Sequence, residues 1–488
     1  KPILASWMGG DAVASGENIL NESGLPTFAY PDTAARVFNH MWRYSYNLRA
    51  LYETPSLPED EPGLPDREAA AEIVEATHES GRVLMTEHAS KSLLSAYGIP
   101  TVDTRIAETP DEAVAAARDI GYPVAVKLHS TSITHKSDVG GVKLGLTSDA
   151  DVQDAFASIE AGVEEGFDGV TVQPMIDRSG GYELIIGSSM DEQFGPVLLF
   201  GSGGQLVEVY KDRALGLPPL NRTLARRMME QTDIYEALQG VRGRAPVDLD
   251  ALESLLVRFS QLVVEQPRVK EIDVNPLLAR PGDEGLLALD ARVVLHPYST
   301  DEEDLPTPAI RPYPRQYMGT HAVQGEDITV RPIRPEDEPK LVTFHERLSE
   351  RSVYLRYANL MKLEQRVAHE RLARICFIDY DREMALVAER PTAEGENQII
   401  GVGRLTKQPG RDEAEFAMLV TDEYQGEGIG TELLRRLVEV GDAEGLDRIT
   451  ADILQQNHAM QRVCEKLGFD LVRGNGQDMV KAVKALHD

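Results

Sequence analysis

The stretch Tyr424-Gln425-Gly426-Glu427-Gly428-Ile429-Gly430-Thr431 limits most tightly what this chain can fold into. The run before it, Phe416-Ala417-Met418-Leu419-Val420, is continuously apolar, as a buried strand is. The run after it, Glu432-Leu433-Leu434-Arg435-Arg436-Leu437-Val438, has its apolar residues at helical spacing. The order is strand, glycine turn, helix. Glycines let the backbone bend tightly and approach a ligand. The first amides of the helix lack intrahelical partners and, with the helix dipole, form an anion site suited to a pyrophosphate. A dinucleotide-binding turn would read G-x-G-x-x-G with an acid about 20 residues on. A kinase-type loop would need a lysine directly after its last glycine, and none follows here.

Composition narrows the class. A length of 488 residues suits about three domains, and 42% hydrophobic residues can fill packed cores. The net charge of −30 argues against a nucleic-acid groove, since so acidic a chain repels phosphate backbones. It favours solubility and suits a salty or alkaline habitat. Two cysteines, Cys376 and Cys464, allow neither a disulfide framework nor a cysteine zinc cluster, in keeping with a cytoplasmic location. No apolar run approaches a membrane span and no signal peptide is visible, so no membrane partner is expected. The chain opens on Lys1-Pro2-Ile3-Leu4-Ala5-Ser6-Trp7, which reads as the interior of a domain and suggests a piece of a longer protein.

Residues 1–54 give a strand at 2–7, the turn Met8-Gly9-Gly10, a helix through Ile19-Leu20, a short strand at 24–28 and a helix over 32–46. This is half of an open parallel sheet. Residues 55–82 are a proline-rich and acidic linker leading into a helix near 69–78. Residues 83–298 mix strands and helices. A capped helix starts at Thr86. Strands follow at 121–128, with Lys127 near the end, and at 170–175, 181–187, 194–201 and 207–212. A final pair is expected between 271–277 and 286–292. Residues 299–325, with Asp301-Glu302-Glu303-Asp304 and several prolines, show no periodicity and read as a solvated tether. Residues 326–488 begin with an alternating strand, Ile328-Thr329-Val330-Arg331-Pro332-Ile333, and the helix start Arg334-Pro335-Glu336-Asp337-Glu338. A hairpin over 384–389 and 398–405, a central strand over 413–420, a strand over 448–454 and a helix over 457–467 complete an α/β domain.

Gln425-Gly426-Glu427-Gly428-Ile429-Gly430 resembles the Q/R-x-x-G-x-G/A turn of the GNAT N-acetyltransferases, which grips the pyrophosphate of acetyl-CoA. Asn457-His458-Ala459-Met460-Gln461-Arg462-Val463-Cys464-Glu465-Lys466-Leu467-Gly468-Phe469 resembles their second cofactor segment. The resemblance assigns Leu419, Val420, Gln425, Gly426, Gly428, Gly430, Thr431 and Asn457 to acetyl-CoA, with a backbone amide near Met418 to Val420 polarising the thioester carbonyl. An attacking amine must be neutral, so a base is needed, directly or through a water. Asp412, Glu413 and Glu415 are candidates; Glu415 aligns with the base of related lysine acetyltransferases. Where many relatives carry a tyrosine as acid for the leaving thiolate, this chain has Cys464, equally readable as a small core residue.

Residues 83–298 resemble the ATP-grasp domain of ADP-forming acetyl-CoA and succinyl-CoA synthetases, and residues 1–54 the end of the flavodoxin-like CoA-ligase lobe of the same enzymes. The resemblance implies ATP/ADP and Mg²⁺. Lys127, Gln173, Met175 and Glu183 would bind nucleotide, Asn275 and Asp290 would hold the metal, and His135 of Thr134-His135-Lys136-Ser137-Asp138 would carry a phosphoryl group. The combination resembles the bacterial protein lysine acetyltransferases. It implies an acceptor protein with a target lysine, such as an AMP-forming acyl-CoA synthetase, and a homo-oligomer. The ATP-grasp part would then be regulatory. The alternatives are an active ADP-forming acyl-CoA synthetase with a phosphohistidine relay, and a non-enzymatic ATP-grasp region that serves as a nucleotide or acyl-CoA sensor and oligomerisation scaffold.

Overall fold

The computed structural model describes residues 2–51, 54, 65–131, 133, 139–163, 166–204, 212–241, 243, 245–282, 285–323, 325–392, 395, 397–473 and 478–487. His135 and most of the 207–212 segment lie outside the described residues. The chain forms two compact units, one of Lys1–Thr54 with Pro314–Asp488 and one of Pro55–Tyr313. Among the described residues, no helix is long and apolar enough to cross a membrane.

At the amino terminus, β1 (Ala5–Ser6) and β2 (Thr27–Phe28) pair in parallel, with helices Ala14–Glu22 and Pro31–Leu51 following them. The alternation of strand and helix expected here is present, though each strand holds only two residues.

In the Pro55–Tyr313 unit, β3 (Arg105–Ala107), β4 (Val124–His129), β5 (Val142–Leu146) and β6 (Gly169–Pro174) form an antiparallel sheet in the order β3-β6-β4-β5. Helices Pro110–Ile120 and Asp149–Ala161 share its core. Thr109 caps the first of these ahead of Pro110, and Ser148 with Asp151 closes a capping box on the second. A second sheet comprises β7 (Tyr182–Asp191), β8 (Gly195–Ser202), β9 (Arg213–Gly216), β10 (Val269–Ala279), β11 (Leu286–Ala288) and β12 (Arg292–Leu295). Strand β10 pairs with β7, β11 and β12. Helix Leu249–Glu265 covers this core with Leu252, Leu255, Leu256, Phe259, Leu262 and Val263, the 3–4 residue spacing of one helical face.

The carboxy-terminal sheet has eight strands: β13 (Gly319–Val323), β14 (Glu326–Pro332), β15 (Glu383–Pro391), β16 (Asn397–Lys407), β17 (Glu413–Val420), β18 (Arg448–Leu454), β19 (Asp470–Arg473) and β20 (Met479–Ala485). Their order is β13-β14-β15-β16-β17-β18-β20-β19. Strand β13 lies where the sequence predicts only tether; it pairs with β14 from Gly319↔Val330 to Val323↔Glu326. The pair β17–β18 is the parallel one, and helix Ile429–Ala443 supplies the crossover that a parallel pair requires. A Cβ at Gly403 of β16 would meet Leu437 at 3.1 Å, so that glycine lets the crossover helix lie close to the sheet. Helices Glu338–Glu346, Glu350–Tyr357 and His369–Cys376 contribute to a separate core with Ala385, Val387 and Ile399 of the sheet. A buried ion network joins β14 and β15 to these helices. Arg331 donates to both oxygens of Asp337, at 2.7 and 2.8 Å, and to Glu389 at 2.9 Å.

Candidate active site

Strands β17 and β18 stay paired only from Glu413↔Arg448 to Glu415↔Thr450, whereas β18 pairs with β20 along its whole length. Beyond Glu415 the two strands part. On its β16 side β17 remains bonded through Val420, so the opposite backbone edge of residues 416–420 faces an opening. That opening is a slot of about 530 Å³. One end is closed by Gln425, Gly426, Gly428, Gly430 and Thr431, and another wall by Asn457, Met460 and Val463. An extended chain could bond to the free edge of β17 as a further strand would.

The glycine turn borders this slot. Gly426 and Gly428 have φ of +86 and +92, a region L side chains rarely adopt, and Cβ atoms there would meet open space. Glu432 is the residue whose amide reaches back to Gly428 O, at 3.0 Å, and no side chain caps the helix at Gly428. The amides of Ile429, Gly430 and Thr431 are thus the orphan donors of a helix start. Gln425 braces the turn: its Nε2 donates to Val420 O and to Ser352 Oγ, both at 3.0 Å. Asn457 caps the following helix by accepting from Met460 N at 3.2 Å. Arg356, Arg462 and Lys466 also line the slot.

Glu413 and Glu415 behave differently. Glu413 pairs with Arg448 at 3.3 Å, while Glu415 lines the slot and forms no ion pair among the described residues. Cys464 is fully buried in the core, and burial pushes its thiol up to about 12. It is not among the residues lining the slot, which suits a core side chain better than an acid for a leaving thiolate.

In the other unit, Lys127 and Gln173 converge on a residue whose role the sequence does not indicate. Glu87 Oε1 accepts from Lys127 Nζ at 2.9 Å, Gln173 Nε2 at 2.7 Å and Lys91 Nζ at 2.8 Å. Burial lowers the Lys91 pKa against the pull of Glu87. Met175 is exposed, two residues beyond Gln173. Glu183 and Asn275 meet around Gly204. Its amide donates to Asn275 Oδ1 at 3.0 Å, and a Cβ there would stand 2.3 Å from Glu183 Oε2. Glu183 also pairs with Arg178. Asp290 lies within electrostatic reach of Lys91 and Asp273. Burial, with Glu271 and Asp290 nearby, holds the Asp273 carboxyl above the usual carboxylate range. Among the described residues, no group of three His, Cys, Asp or Glu could hold a metal alone. Two oxygens completed by waters and phosphates suit Mg²⁺.

The family model for an ATP-grasp domain matches residues 76–295, and that for an acetyltransferase (GNAT) domain matches residues 327–470. The beta subunit of ADP-forming acetate–CoA ligase I from Pyrococcus furiosus is 37% identical over 236 residues, 47% of this chain and 100% of that subunit. The chain belongs to the ADP-forming acetate–CoA ligase family. ADP-forming acetate–CoA ligase I of Archaeoglobus fulgidus is 40% identical over 301 residues, 60% of this chain and 42% of that ligase. The chain therefore spans less than half the length of that relative. A solved structure described as the GNAT domain of S. lividans PAT is 27% identical, with a TM-score of 0.32, covering 36% of this chain and 98% of that one. The ligase-family region carries the Glu87 cluster, and the GNAT region carries the slot.

The elements that build both sites are readable in the sequence, whereas several side chains are not. Arg356, Arg462 and Lys466 look like ordinary polar positions on helices, Glu87 like an acid in the first turn of a capped helix, and Lys91 like its neighbour one turn on. The i, i+4 spacing of Glu87 and Lys91 is the one available signal, and it usually marks a surface pair.

Proposed function

We propose that residues 326–488 transfer the acetyl group of acetyl-CoA to a lysine amine of an acceptor protein, and that residues 83–298 bind ATP with Mg²⁺ as a regulatory unit. The observation that carries this reading is the parting of β17 from β18 beside an uncapped, glycine-led helix start. The pyrophosphate lies on the amides of residues 428–431, and the pantetheine arm bonds to the free edge of β17. Glu415, directly or through one water, takes the proton that neutralises the lysine amine. The amine nitrogen attacks the thioester carbon. A β17 amide near Met418 to Val420 holds the oxygen as it gains charge. As the C–S bond breaks, the nitrogen gives up its remaining surplus proton through water to the departing CoA thiolate, since Cys464 is enclosed in the core and cannot supply one. The resemblance points to an AMP-forming acyl-CoA synthetase as acceptor; the low cysteine count suits the cytoplasm, and the proposed assembly is a homo-oligomer.

Incubation of the full chain with labelled acetyl-CoA and a panel of candidate proteins tests this directly. Label on lysine, lost with Glu415→Gln, is the expected result. No protein labelled while acetyl-CoA binds would end the lysine reading.

The relatives support a second reading more directly than they support lysine transfer. The Archaeoglobus and Pyrococcus relatives are ADP-forming acetate–CoA ligases. On that reading the ligase-family region exchanges phosphoryl groups through His135, together with a CoA-ligase portion of the full-length protein. ATP formation from acetyl-CoA, ADP and phosphate, lost with His135→Ala, would favour it; unchanged exchange in that variant would remove His135 from the chemistry.

A further inference from the structure

An acceptor must reach β17 from a side the coenzyme does not fill. A second cavity, of about 400 Å³, adjoins the slot and shares Arg356, Ala417, Met418 and Leu419 with it. Its outer wall adds Arg371 and Arg374 from helix His369–Cys376 and Arg404 from β16. Against these four guanidiniums the described lining holds one acid, Glu370. In a chain of net charge −30 such a concentration of arginine departs sharply from the average surface.

The arginines are only partly committed. Arg404 pairs with Glu383 at 3.3 Å and donates to Ile375 O at 3.1 Å. Arg356 and Arg371 both lie against the ring of Tyr357, with Cζ at 5.1 and 5.2 Å from its centroid. Among the described residues, neither they nor Arg374 form an ion pair, and Arg371 Nε is buried with no hydrogen-bond partner. Burial, reinforced by Arg404 and Arg371, lowers the Arg356 pKa, with Tyr357 and Glu415 opposing. His345, also in the lining, is pushed down to about 4 by burial and by Arg366 and Arg371, so it adds no charge at neutral pH. Like charges gathered in a cavity with few counterions are costly, and a carboxylate, which matches the guanidinium fork, would relieve them.

We propose that this cavity is the acceptor subsite and that it selects a lysine flanked in the acceptor chain by Asp or Glu. The flanking carboxylate enters among Arg356, Arg371 and Arg374 while the lysine amine lies beside Glu415. The inference rests on the acetyl-transfer reading and adds the acceptor's chemistry to it.

The test uses the full chain, acetyl-CoA and two peptide series with the same lysine, one flanked by Asp or Glu and one by Asn or Gln, with thiol release as readout. The acidic series is expected to show roughly tenfold higher kcat/KM, mainly through KM. Arg371→Gln should bring the two series to within about twofold of each other, and Arg374→Glu should turn the preference toward Lys- or Arg-flanked peptides. Calorimetric acetyl-CoA affinity, retained in both variants, shows that they fold. Equal use of both series by the wild type, or a preference that survives both substitutions, overturns the proposal. So does faster acetylation of free amino acids than of any peptide, which would place the carboxylate on a small molecule. Absence of transfer to either series, or of acetyl-CoA binding, would be distinct from equal use and would remove the acetyl-transfer reading beneath it.

Discussion

Two glutamates sit two residues apart on one face of β17, and their partners separate them: Arg448 holds Glu413, while Glu415 opens to the slot. Glu415→Gln is expected to lower kcat by about 10²-fold, with acetyl-CoA affinity retained, because a base acts on the amine rather than on the coenzyme. An unchanged rate at neutral pH would dismiss Glu415. Strand alternation was enough to place Glu415 and Glu413 on the same face. It could not show which one would be tied to Arg448, since that arginine comes from another strand. His345 offers a pH signature. Burial and the nearby Arg366 and Arg371 move its imidazole from 6.5 down to about 4. The unfolded chain takes up this proton as pH falls below 6.5, and the folded chain does not until about 4. Its contribution to stability is therefore complete above the first value and is lost toward the second. Between about pH 7.5 and about pH 5 the wild type should lose about 2 kcal/mol more than His345→Gln in chemical denaturation. Parallel losses in the two proteins would contradict a buried neutral imidazole.

Strand, glycine turn and crossover helix each have a local signal, so β17, residues 425–430 and helix Ile429–Ala443 could be read from the chain in order. The parting of β17 from β18 had no such signal, because it depends on where β18 leaves β17 and stays with β20. Strand β13 was hidden for another reason: five residues after a proline-rich stretch show little alternation, and only pairing with β14 makes them a strand. The ATP-grasp elements were readable, yet the Glu87 cluster joins residues 40 and 86 positions apart, beyond any local pattern. Two substitutions examine the turn as an element. Gly428→Val puts a β-branched side chain at φ +92 and in the path of a diphosphate, so calorimetry should find no acetyl-CoA binding. Normal affinity would count against the turn as anion site. Gln425→Ala removes the two braces to Val420 and Ser352, which at about 1 kcal/mol per hydrogen bond should weaken acetyl-CoA by up to roughly thirtyfold.

At the scale of the molecule, two compact units carry the two family regions, the ATP-grasp domain in one and the GNAT domain in the other. Their ligands should be separable by substitution. Lys127→Met should abolish the rise in melting temperature that ATP with Mg²⁺ produces in the ligase-family unit, and leave acetyl-CoA affinity intact. Gly428→Val should do the reverse. Loss of both ligands in either variant would mean that the units unfold together or share a site. The central claim is that the gap between β17 and β18 receives acetyl-CoA. Its most direct measurement is a crystal structure of the chain with that coenzyme bound. The account predicts the diphosphate on the amides of residues 428–431, the pantetheine along the free edge of β17 and the thioester beside Glu415. Coenzyme bound elsewhere, with the glycine turn facing away from it, would contradict the account.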